Sequence, residues 1–397
     1  MTAKYAIIVP DGAADRPLEI FGGKTIFEAA NIPNIDAISI DGKQGLVHTI
    51  PDGFSPGSDV AQMTLLGYDP RQYYTGRAPL EAAAQGIRLK GDDWVFRCNL
   101  VTFNEDKMAD HSAGHISTDE GAKLVRDLEA DINDPNIRFY PGLSYRHLCV
   151  ISGSTFDKIK TTPPHDIIDE KLAKHLPKGK NAEQLIAIME RSQKLFEHHD
   201  VNRVRRDLHE NTVSSVWLWG QGQRAAMDSF SKRFGVKGAC ITAVDLVKGI
   251  GKLIHFDMIE VPGATGFVNT NYIGKGQAAI GALQDHDLVF VHIEAPDEAG
   301  HAGNAEQKKT ALEQIDKFIV GPVHDALKRY DQYRIMVLPD HPTPVETRGH
   351  SGDPVPFVMA GTGIKGVIHK PMSEKNALDS GFRITQGHEL MEYFLKI

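Results

Sequence analysis

Residues 5–12 have the sequence YAIIVPDG, in which a run of five apolar residues leads directly into a Pro-Asp-Gly turn. Short apolar runs bounded by Pro, Gly or Asp are typical of buried strands in a parallel sheet. The same arrangement recurs near the other end of the chain, where residues 334–341 have the sequence RIMVLPDH. The two segments predict two core strands from opposite ends of the chain, each followed by an aspartate.

Similar apolar runs at 46–50, 288–293 and 357–359 complete a set with the pattern of buried parallel strands. Helical patterns lie between them. Residues 307–318, for example, place their apolar side chains on one helical face. This alternation predicts an α/β fold with a doubly wound, mostly parallel sheet. Because both chain ends contribute strands, we expect them to build one domain.

The middle of the chain has a different composition. It contains an amphipathic helical pattern at 182–196 and the basic stretch NRVRRD at 202–207. We interpret residues 86–224 as an inserted α/β cap domain that binds substrate. Residues 1–85 and 225–397 are then expected to form a discontinuous, metal-binding core domain.

The bulk composition narrows the class of protein. The chain is 41% hydrophobic and 24% charged, as in ordinary globular proteins. Its net charge of −8 argues against nucleic acid or an anionic membrane as the main partner. No apolar stretch approaches the roughly 20 residues that span a bilayer. Cys98, Cys149 and Cys240 are few and far apart, which favours free thiols and a cytoplasmic protein.

Four short segments carry residue types that bind metals. They contain Asp11, Asp297, His301, Asp340, His341 and His350. Three aspartates and three histidines can hold two divalent cations. Each residue alone also has an ordinary explanation, such as a turn-forming aspartate or a surface histidine. Ligands that follow the carboxyl ends of parallel strands meet in one crevice, so the whole set predicts a metal centre.

The spacing within the segments leaves their local structure open. Asp297 and His301 are four residues apart, which suits one face of a helical turn and also an irregular loop around a cation. Asp340 and His341 are adjacent, so both can serve one site if they lie in a turn just after a strand.

Ser58 in SPGSDVAQ is the candidate nucleophile. It precedes a predicted helix at 59–66, and its ordinary explanation is an N-cap. A helix N-terminus also suits a phosphoryl group, because its free N–H groups and dipole favour negative charge. A cation bound to Ser58 would lower the pKa of its hydroxyl and make it a nucleophile.

Basic residues near these motifs are candidates for substrate binding, because arginine binds phosphate or carboxylate with two hydrogen bonds. The histidines of ADHSAGHIS could supply substrate contacts or acid/base chemistry, or could belong to a structural loop. The predicted substrate-binding residues are His111, His115, Arg146, Arg203 and Lys248.

These motifs together resemble the cofactor-independent phosphoglycerate mutases of the archaeal-type branch, which belong to the alkaline phosphatase superfamily. The resemblance covers essentially the whole chain, with the motifs in family order. They are IIVPDGAADRP, SPGSDVAQMTLLGYDP, YYTGRAPLEA, AVDLVKGIG, VPGATGFVNTNY, EAPDEAGH and LPDHPTP. The resemblance implies an alkaline-phosphatase-type core with an inserted cap.

The resemblance also implies the site and the reaction. It assigns Asp297, His301 and His350 to one Mn²⁺-like ion, and Asp11, Ser58, Asp340 and His341 to the other. Zn²⁺ and Mg²⁺ are alternatives. Ser58 would be phosphorylated while 3-phosphoglycerate and 2-phosphoglycerate are interconverted without 2,3-bisphosphoglycerate, a step of glycolysis and gluconeogenesis.

One segment departs from the family pattern. Where mutases of this branch carry arginines, the chain has His111 and His115. A subgroup with this pattern has been proposed to act as homoserine kinases. The alternative prediction is therefore a homoserine kinase that forms O-phosphohomoserine in threonine biosynthesis. Both hypotheses require phosphoryl transfer and a small phosphorylated substrate or product.

Overall fold

The computed structural model describes residues 3–396 and divides them into two compact units. The first, which we call the core unit, runs up to Tyr74 and resumes at Ala226. The second, the insert unit, is Thr75–Ala225. Each unit has its own sheet.

The strands of the described residues are numbered in chain order. They are β1 (Lys4–Pro10), β2 (Lys43–Val47), β3 (Trp94–Asn104), β4 (Lys107–Asp110), β5 (Ile137–Tyr140), β6 (Arg146–Ile151), β7 (Ser215–Gln223), β8 (Gly238–Ile241), β9 (Asp257–Met258), β10 (Leu288–Ile293), β11 (Tyr333–Val337), β12 (Val355–Gly361) and β13 (Arg383–Ile384).

The α-helices are numbered in the same way. They are α1 (Ile26–Ala29), α2 (Pro33–Asp41), α3 (Ser58–Leu65), α4 (Pro70–Tyr73), α5 (Arg77–Ala84), α6 (Thr118–Ile132), α7 (Ala182–Glu197), α8 (Asp200–Asp207), α9 (Phe230–Phe234), α10 (Asp245–Leu253), α11 (Tyr272–Asp285), α12 (Ala295–His301), α13 (Ala305–Ile315), α14 (Gly321–Leu327), α15 (Glu374–Asp379) and α16 (Glu389–Leu395). A π-helical turn, Asp316–Val320, joins α13 to α14.

The core sheet has the order β13-β2-β12-β11-β1-β10-β8-β9. β1 lies near its middle and runs parallel to β10 on one side and β11 on the other. The apolar run that opens the sequence is fully buried there, since Ile7, Ile8 and Val9 have no exposed surface. The predicted α/β fold with a mostly parallel sheet is confirmed. Strands from both ends of the chain lie side by side in this sheet.

The prediction of parallel pairing is wrong for one strand. β12, which contains the run 357–359, is antiparallel to both β11 and β2. Residues 338–354, which connect β11 to β12, form turns and irregular structure instead of a helix. Parallel neighbours need a long crossover, usually a helix, so a strand that returns without one pairs in the antiparallel sense.

The insert unit is built on an antiparallel sheet in the order β4-β3-β6-β5, with β7 also paired to β3. Its core includes Leu185, Ile188 and Phe196 of α7 together with Trp217 of β7. The amphipathic helix expected at 182–196 is thus present as α7. The alternation of strand and helix in this region produces antiparallel rather than parallel pairing.

The helix α5 belongs to the insert unit. Ala78 and Ala82 pack with Val95 of β3 and with Leu148 and Val150 of β6. The compact unit accordingly begins before α5, at Thr75, whereas the boundary inferred from the sequence follows this helix. The small side chains of α5 explain the difference, because an alanine-rich helix can lie close to a sheet without a strong apolar pattern.

Two simpler expectations concern membranes and thiols. Among residues 3–396, no helix is both long enough and apolar enough to cross a bilayer. Cys98, Cys149 and Cys240 are buried free thiols, as their number and spacing predicted.

Candidate metal centre

Three parallel strands bring the candidate ligands together at one edge of the core sheet. β1 lies between β10 and β11, so their carboxyl ends are neighbours. Asp11 directly follows β1, and Asp340 follows β11 in a turn. Asp297 lies in α12, which begins just after β10. Ligand positions beyond the carboxyl ends of parallel strands are the arrangement that the sequence predicted.

The first candidate ligand set is Asp297, His301 and His350. His301 Nε2 lies 3.2 Å from Asp297 Oδ2, and His350 Nε2 lies 3.5 Å from Asp297 Oδ1. The two Nε2 atoms are 2.9 Å apart. Since α12 is helical, the spacing of four places Asp297 and His301 on one face, which settles the choice between helix and loop. The three donor atoms all lie within 4.8 Å of one another.

The second ligand set is Asp11, Asp340 and His341, all fully buried. His341 Nε2 lies 3.6 Å from Asp11 Oδ1 and 3.4 Å from Asp340 Oδ2. Ser58 Oγ lies 3.2 Å from the same nitrogen. The candidate nucleophile is therefore adjacent to the donor atoms of this set.

Ser58 does not act as a helix cap. It is the first residue of α3, and the N-cap position belongs to Gly57. No side chain caps the helix at that position. The ordinary explanation of Ser58 as an N-cap is wrong, because its hydroxyl is directed to His341 instead of to the first turn of the helix.

The carboxylates of the centre repel one another. Burial raises the pKa of Asp11 well above its ordinary value, and the charges of Asp340, Glu294 and Asp297 raise it further. Asp11 Oδ1 is buried and has no hydrogen-bond partner among residues 3–396. A buried carboxylate oxygen without a proton donor is costly unless a cation pairs with it. This orphaned oxygen and the mixed oxygen and nitrogen donors fit a divalent cation.

The first ligand set holds a proton in the absence of a cation. Burial opposes ionisation of Asp297, but hydrogen bonds with His301 and His350 outweigh it and hold the pKa of Asp297 well below its ordinary value. The same contact raises the pKa of His301 to about 9. Histidine binds metal only in its neutral form, so a cation that bound to this set would have to displace the proton.

His292, the second-to-last residue of β10, is a site residue that the sequence prediction missed. Its Nε2 lies 2.6 Å from Asp11 Oδ2, and its Nδ1 lies 3.1 Å from Thr242 Oγ1. Thr242 Oγ1 already accepts a hydrogen bond from Val244 N, so its own proton is free for His292 Nδ1. His292 then carries its proton on Nε2 and donates a hydrogen bond to Asp11 Oδ2.

In this orientation, the two carboxylate oxygens of Asp11 make different contacts. Oδ2 is held by His292, while Oδ1 stays directed to His341. Burial lowers the pKa of His292 to about 3, which keeps its ring neutral. Glu294 completes a further group with Asp11 and His292 whose donor atoms also lie close together. The signal in the sequence was the histidine within the apolar run LVFVHI, because a buried histidine needs polar partners.

Hydrogen bonds also fix both carboxylate oxygens of Asp340. Gln62 Nε2 donates to its Oδ2 over 2.9 Å, and Gly12 N donates to its Oδ1 over 3.1 Å. Gly12 has a φ of +62°, and a Cβ there would lie 2.6 Å from Asp297 Oδ1. Only glycine fits this backbone beside the carboxylates.

The predicted substrate residues lie in different places. In the insert unit, the rings of His111 and His115 lie 5.8 and 6.1 Å from that of Tyr145. Arg146 Cζ lies 5.3 Å from the centre of the same ring. Arg203 and Lys248 are not part of this group. The roles of all five predicted substrate residues stay predictions.

Arg203 and Lys248 each form an ion pair with a nearby carboxylate. Arg203 is exposed on α8, where its Nη2 lies 3.1 Å from Asp200 Oδ1. Lys248, on α10 of the core unit, lies 3.7 Å from Asp245.

Comparison with known protein families identifies many relatives. The family described as 2,3-bisphosphoglycerate-independent phosphoglycerate mutase matches residues 40–202. A mutase of that name from Methanosarcina mazei is 50% identical, and the alignment covers 90% of each chain. A second, from Methanothermobacter thermautotrophicus, is 46% identical over 100% of this chain and 98% of its own. A probable mutase from Geobacter sulfurreducens is 44% identical over 99% of both.

Solved structures that are similar to this chain include a member of the same family. A protein from Pyrococcus horikoshii superposes with a TM-score of 0.85 at 30% identity, covering 100% of this chain and 97% of its own. A cofactor-independent phosphoglycerate mutase from Thermoplasma acidophilum gives a TM-score of 0.70 at 26% identity, covering 100% and 99%.

Proposed function

We propose a phosphoglycerate mutase reaction for this chain, which belongs to the family of 2,3-bisphosphoglycerate-independent phosphoglycerate mutases. The reaction interconverts 3-phosphoglycerate and 2-phosphoglycerate without 2,3-bisphosphoglycerate, as a step of glycolysis and gluconeogenesis. The observation that carries the proposal is the position of Ser58 Oγ, 3.2 Å from His341 Nε2 and beside the buried carboxylates of the second ligand set.

The proposed cofactors are two divalent cations, Mn²⁺ in the first instance, with Zn²⁺ and Mg²⁺ as alternatives. Asp297, His301 and His350 would hold one, and Asp11, Ser58, Asp340 and His341 the other. Bound cations would supply positive charge for the phosphoryl oxygens and for an ionised serine hydroxyl. The unpaired Oδ1 of Asp11 supports this assignment.

Ser58 carries the phosphoryl group between two oxygens of the substrate. Its Oγ forms a bond to phosphorus as the bond to the C3 oxygen breaks, which leaves phosphoserine and glycerate. The serine proton ends on the C3 oxygen. The C2 oxygen of glycerate then takes the phosphoryl group, and the proton of the C2 hydroxyl returns to Ser58. Because Ser58 begins α3, the positive end of the helix dipole faces the transferred group.

Neighbouring side chains fix the site before substrate arrives. His292 orients Asp11, and Gln62 and Gly12 orient Asp340. Residues that hold ligands in this way tune metal affinity, and their loss typically weakens it by about 10- to 100-fold.

An enolase-coupled assay tests the reaction. Purified protein loaded with Mn²⁺ is expected to convert 3-phosphoglycerate in the absence of 2,3-bisphosphoglycerate, and intact-mass analysis should detect a phosphorylated form that the variant Ser58→Ala lacks. If metal-loaded protein shows no turnover, or turns over only when 2,3-bisphosphoglycerate is added, the proposal is wrong.

The homoserine kinase alternative rests on His111 and His115 alone. The relatives described above carry the mutase name, so they lend the alternative no support. A parallel assay with homoserine and ATP separates the two functions. O-phosphohomoserine formation without mutase turnover would replace the mutase proposal.

We also infer a small phosphorylated substrate and a cytoplasmic location. The net charge of −8 does not favour nucleic acid or membrane surfaces as partners. Free thiols at Cys98, Cys149 and Cys240 are more typical of reducing compartments than of oxidising ones. Cell fractionation with an antibody against the protein would test the location.

A further inference from the structure

The core unit contains a fully buried lysine, Lys308 of α13, that the proposed reaction does not use. Its Nζ donates hydrogen bonds to Asp15 Oδ2 over 2.8 Å, to the backbone oxygen of Thr343 over 2.7 Å and to that of Ala14 over 3.2 Å. A lysine ammonium group has three N–H donors, so all of them are used. The side chain of Asp15 is fully buried as well, and the two residues form a buried ion pair.

The three hydrogen bonds join segments that carry candidate metal ligands. Ala14 and Asp15 lie in the loop that follows β1, and Thr343 lies in the turn that follows β11. Lys308 lies in α13, which begins shortly after the end of α12. The candidate ligands on these three segments are Asp11, Asp297, His301, Asp340 and His341. One ammonium group therefore connects the three segments, although Ala14 lies 294 residues before Lys308 in the sequence.

Thr343 contacts one candidate ligand of each set. Its Oγ1 donates a hydrogen bond to Asp297 Oδ1 and lies 3.3 Å from His341 Nδ1. Because the hydroxyl proton is directed to Asp297, Oγ1 accepts a hydrogen bond from the Nδ1–H group of His341. His341 then carries its proton on Nδ1, and its Nε2 keeps a lone pair for a cation. Lys308 holds the backbone oxygen of Thr343 and so fixes the residue that contacts both sets.

Asp15 provides a second connection between the same segments. Besides the contact with Lys308, its Oδ2 accepts a hydrogen bond from Val345 N over 3.2 Å, and its Oδ1 accepts one from Arg16 N over 2.8 Å. A buried ion pair contributes little net stability, because the cost of removing two charges from water offsets their attraction. Well-packed apolar side chains would stabilise the unit about as well. What the pair adds is a set of hydrogen bonds with fixed directions.

We propose that Lys308 is a positioning residue of the metal centre. It fixes the loop after β1 and the turn after β11 relative to α12, and it thereby holds the two ligand sets in position relative to each other. It acts through Asp15 and Thr343. The proposal rests on the metal centre of the proposed function, but it concerns the binding of cations and not the identity of the substrate. The test therefore measures Mn²⁺ binding separately from turnover.

Two variants of the full-length protein remove the ion pair. Lys308→Met keeps a side chain of similar length but leaves Asp15 as an unpaired buried charge, which can prevent folding. Lys308→Met combined with Asp15→Asn, the double variant, removes both charges and should fold, as judged by circular dichroism. Lys309→Met is the matched control, because Lys309 is the next residue of α13 and pairs with the exposed Glu306.

Calorimetric titration with Mn²⁺ measures the affinity of each protein, and electron paramagnetic resonance shows whether two bound ions are magnetically coupled. Loss of a residue that positions metal ligands typically weakens binding by about 10- to 100-fold, so the double variant should bind Mn²⁺ at least about tenfold more weakly. At saturating Mn²⁺ its coupled signal should differ from that of the wild type, because coupling depends on the distance between the ions. A role in stability alone would change the unfolding temperature and leave both measurements unchanged.

Turnover of 3-phosphoglycerate gives an independent measurement. At saturating Mn²⁺, kcat of the double variant should fall by about tenfold or more, because small displacements of catalytic groups have large effects on rate. KM should stay near the wild-type value. Thr343→Val keeps the ion pair but removes the hydroxyl group that contacts both ligand sets. If Lys308 acts through Thr343, adding Thr343→Val to the double variant should weaken Mn²⁺ binding by less than the product of the separate effects.

Lys309→Met should match the wild type in every measurement. If the double variant binds Mn²⁺ with wild-type affinity and an unchanged coupled signal, Lys308 does not position the ligands. If neither Lys308 variant folds, Thr343→Val alone is compared with the wild type, and unchanged Mn²⁺ binding then overturns the proposal. Lys308-dependent Mn²⁺ binding in a protein without mutase turnover would reject the proposed function and retain the positioning role. Normal mutase turnover in the double variant would do the reverse.

Discussion

The metal centre of the core unit and the guanidinium groups around Arg97 in the insert unit concentrate charge of opposite sign. In the core unit, Asp11, Asp340 and Asp297 meet at the ends of parallel strands, and burial, together with repulsion from the neighbouring carboxylates, raises the pKa of Asp11. In the insert unit, Arg97 lies near further guanidinium groups along an antiparallel sheet. In the core unit, this repulsion costs stability unless a cation neutralises it.

The two regions also differ in how their side chains are held. The carboxylates are positioned by hydrogen bonds from buried donors such as His292 and Gln62. Arg97 is positioned by one ion pair and by the face of Trp219. Substitutions can therefore damage one region and spare the other, which gives four tests.

The largest effect is expected for Ser58→Ala. Removal of the nucleophile should lower mutase turnover by roughly 10⁴-fold or more, by analogy with other serine nucleophiles. Metal content should stay as in the wild type. The enolase-coupled assay measures the loss, and Ser55→Ala, in the loop before α3, is the control. Residual turnover near the wild-type level would remove Ser58 from the mechanism.

The next effect concerns Asp11→Asn. The substitution removes one negative charge from a cluster of carboxylates that repel one another, so metal-free protein should become more stable. The affinity for divalent cations should fall by more than about 100-fold. Thermal unfolding with and without Mn²⁺, together with elemental analysis, measures both changes. An unaltered metal content would show that Asp11 is not a ligand.

A smaller effect is expected at His292. His292→Leu removes the donor to Asp11 Oδ2 and should weaken metal binding by about 10- to 100-fold. His292→Gln retains an N–H group at a similar distance and should recover part of the affinity, which a merely space-filling role would not explain. Calorimetric titration with Mn²⁺ compares the three proteins. Equal affinities for Leu and Gln would contradict the positioning role.

The smallest effect is a pH dependence within the insert unit. Burial lowers the pKa of His147 to about 4, below the value of about 6.5 in an unfolded chain. The unfolded state therefore binds the proton first, so the stability contributed by neutral His147 is complete above pH 6.5 and is lost as the pH falls from 6.5 to 4. The loss is at most about 3 kcal/mol.

Urea unfolding followed by tryptophan fluorescence measures this dependence. Trp94, Trp217 and Trp219, the three tryptophans of the chain, all lie in the insert unit, so the signal reports that unit. His147→Gln should flatten the profile between pH 7 and 5. A profile as steep as that of the wild type would assign the pH dependence to other groups.

The sequence predicted the parts of the molecule that depend on local pattern. The runs before Asp11 and Asp340 identified strands β1 and β11. The Asp and His residues chosen from the sequence lie together in the two groups that the family resemblance implied, and their role as ligands stays a prediction. The antiparallel direction of β12 was not predictable from its apolar run, because parallel and antiparallel buried strands share that pattern. His292 was missed because its role arises from contacts with Asp11 and Thr242 that are distant in sequence.

The contact between Arg97 and Trp219 was missed for a related reason. Arg97 and Trp219 belong to β3 and β7, which pair across more than a hundred residues of chain. His165, whose ring lies 5.3 Å from that of Trp219, lies in a short 3-10 helix that is far from both residues along the sequence. Periodicity shows that a strand exists but does not show which strand lies beside it, so a cluster of cross-strand neighbours has no local signature.

The central place of β1 has a consequence for synthesis of the protein on the ribosome. β1 is translated before its partners β10 and β11, which begin at Leu288 and Tyr333. At about 5 to 20 residues per second, β1 waits roughly 15 to 60 s for its neighbours, whereas the contiguous insert unit can fold soon after it emerges. An apolar strand with two unpaired edges must stay out of aggregates during that time, which makes the first strand of the sheet the segment most in need of a chaperone.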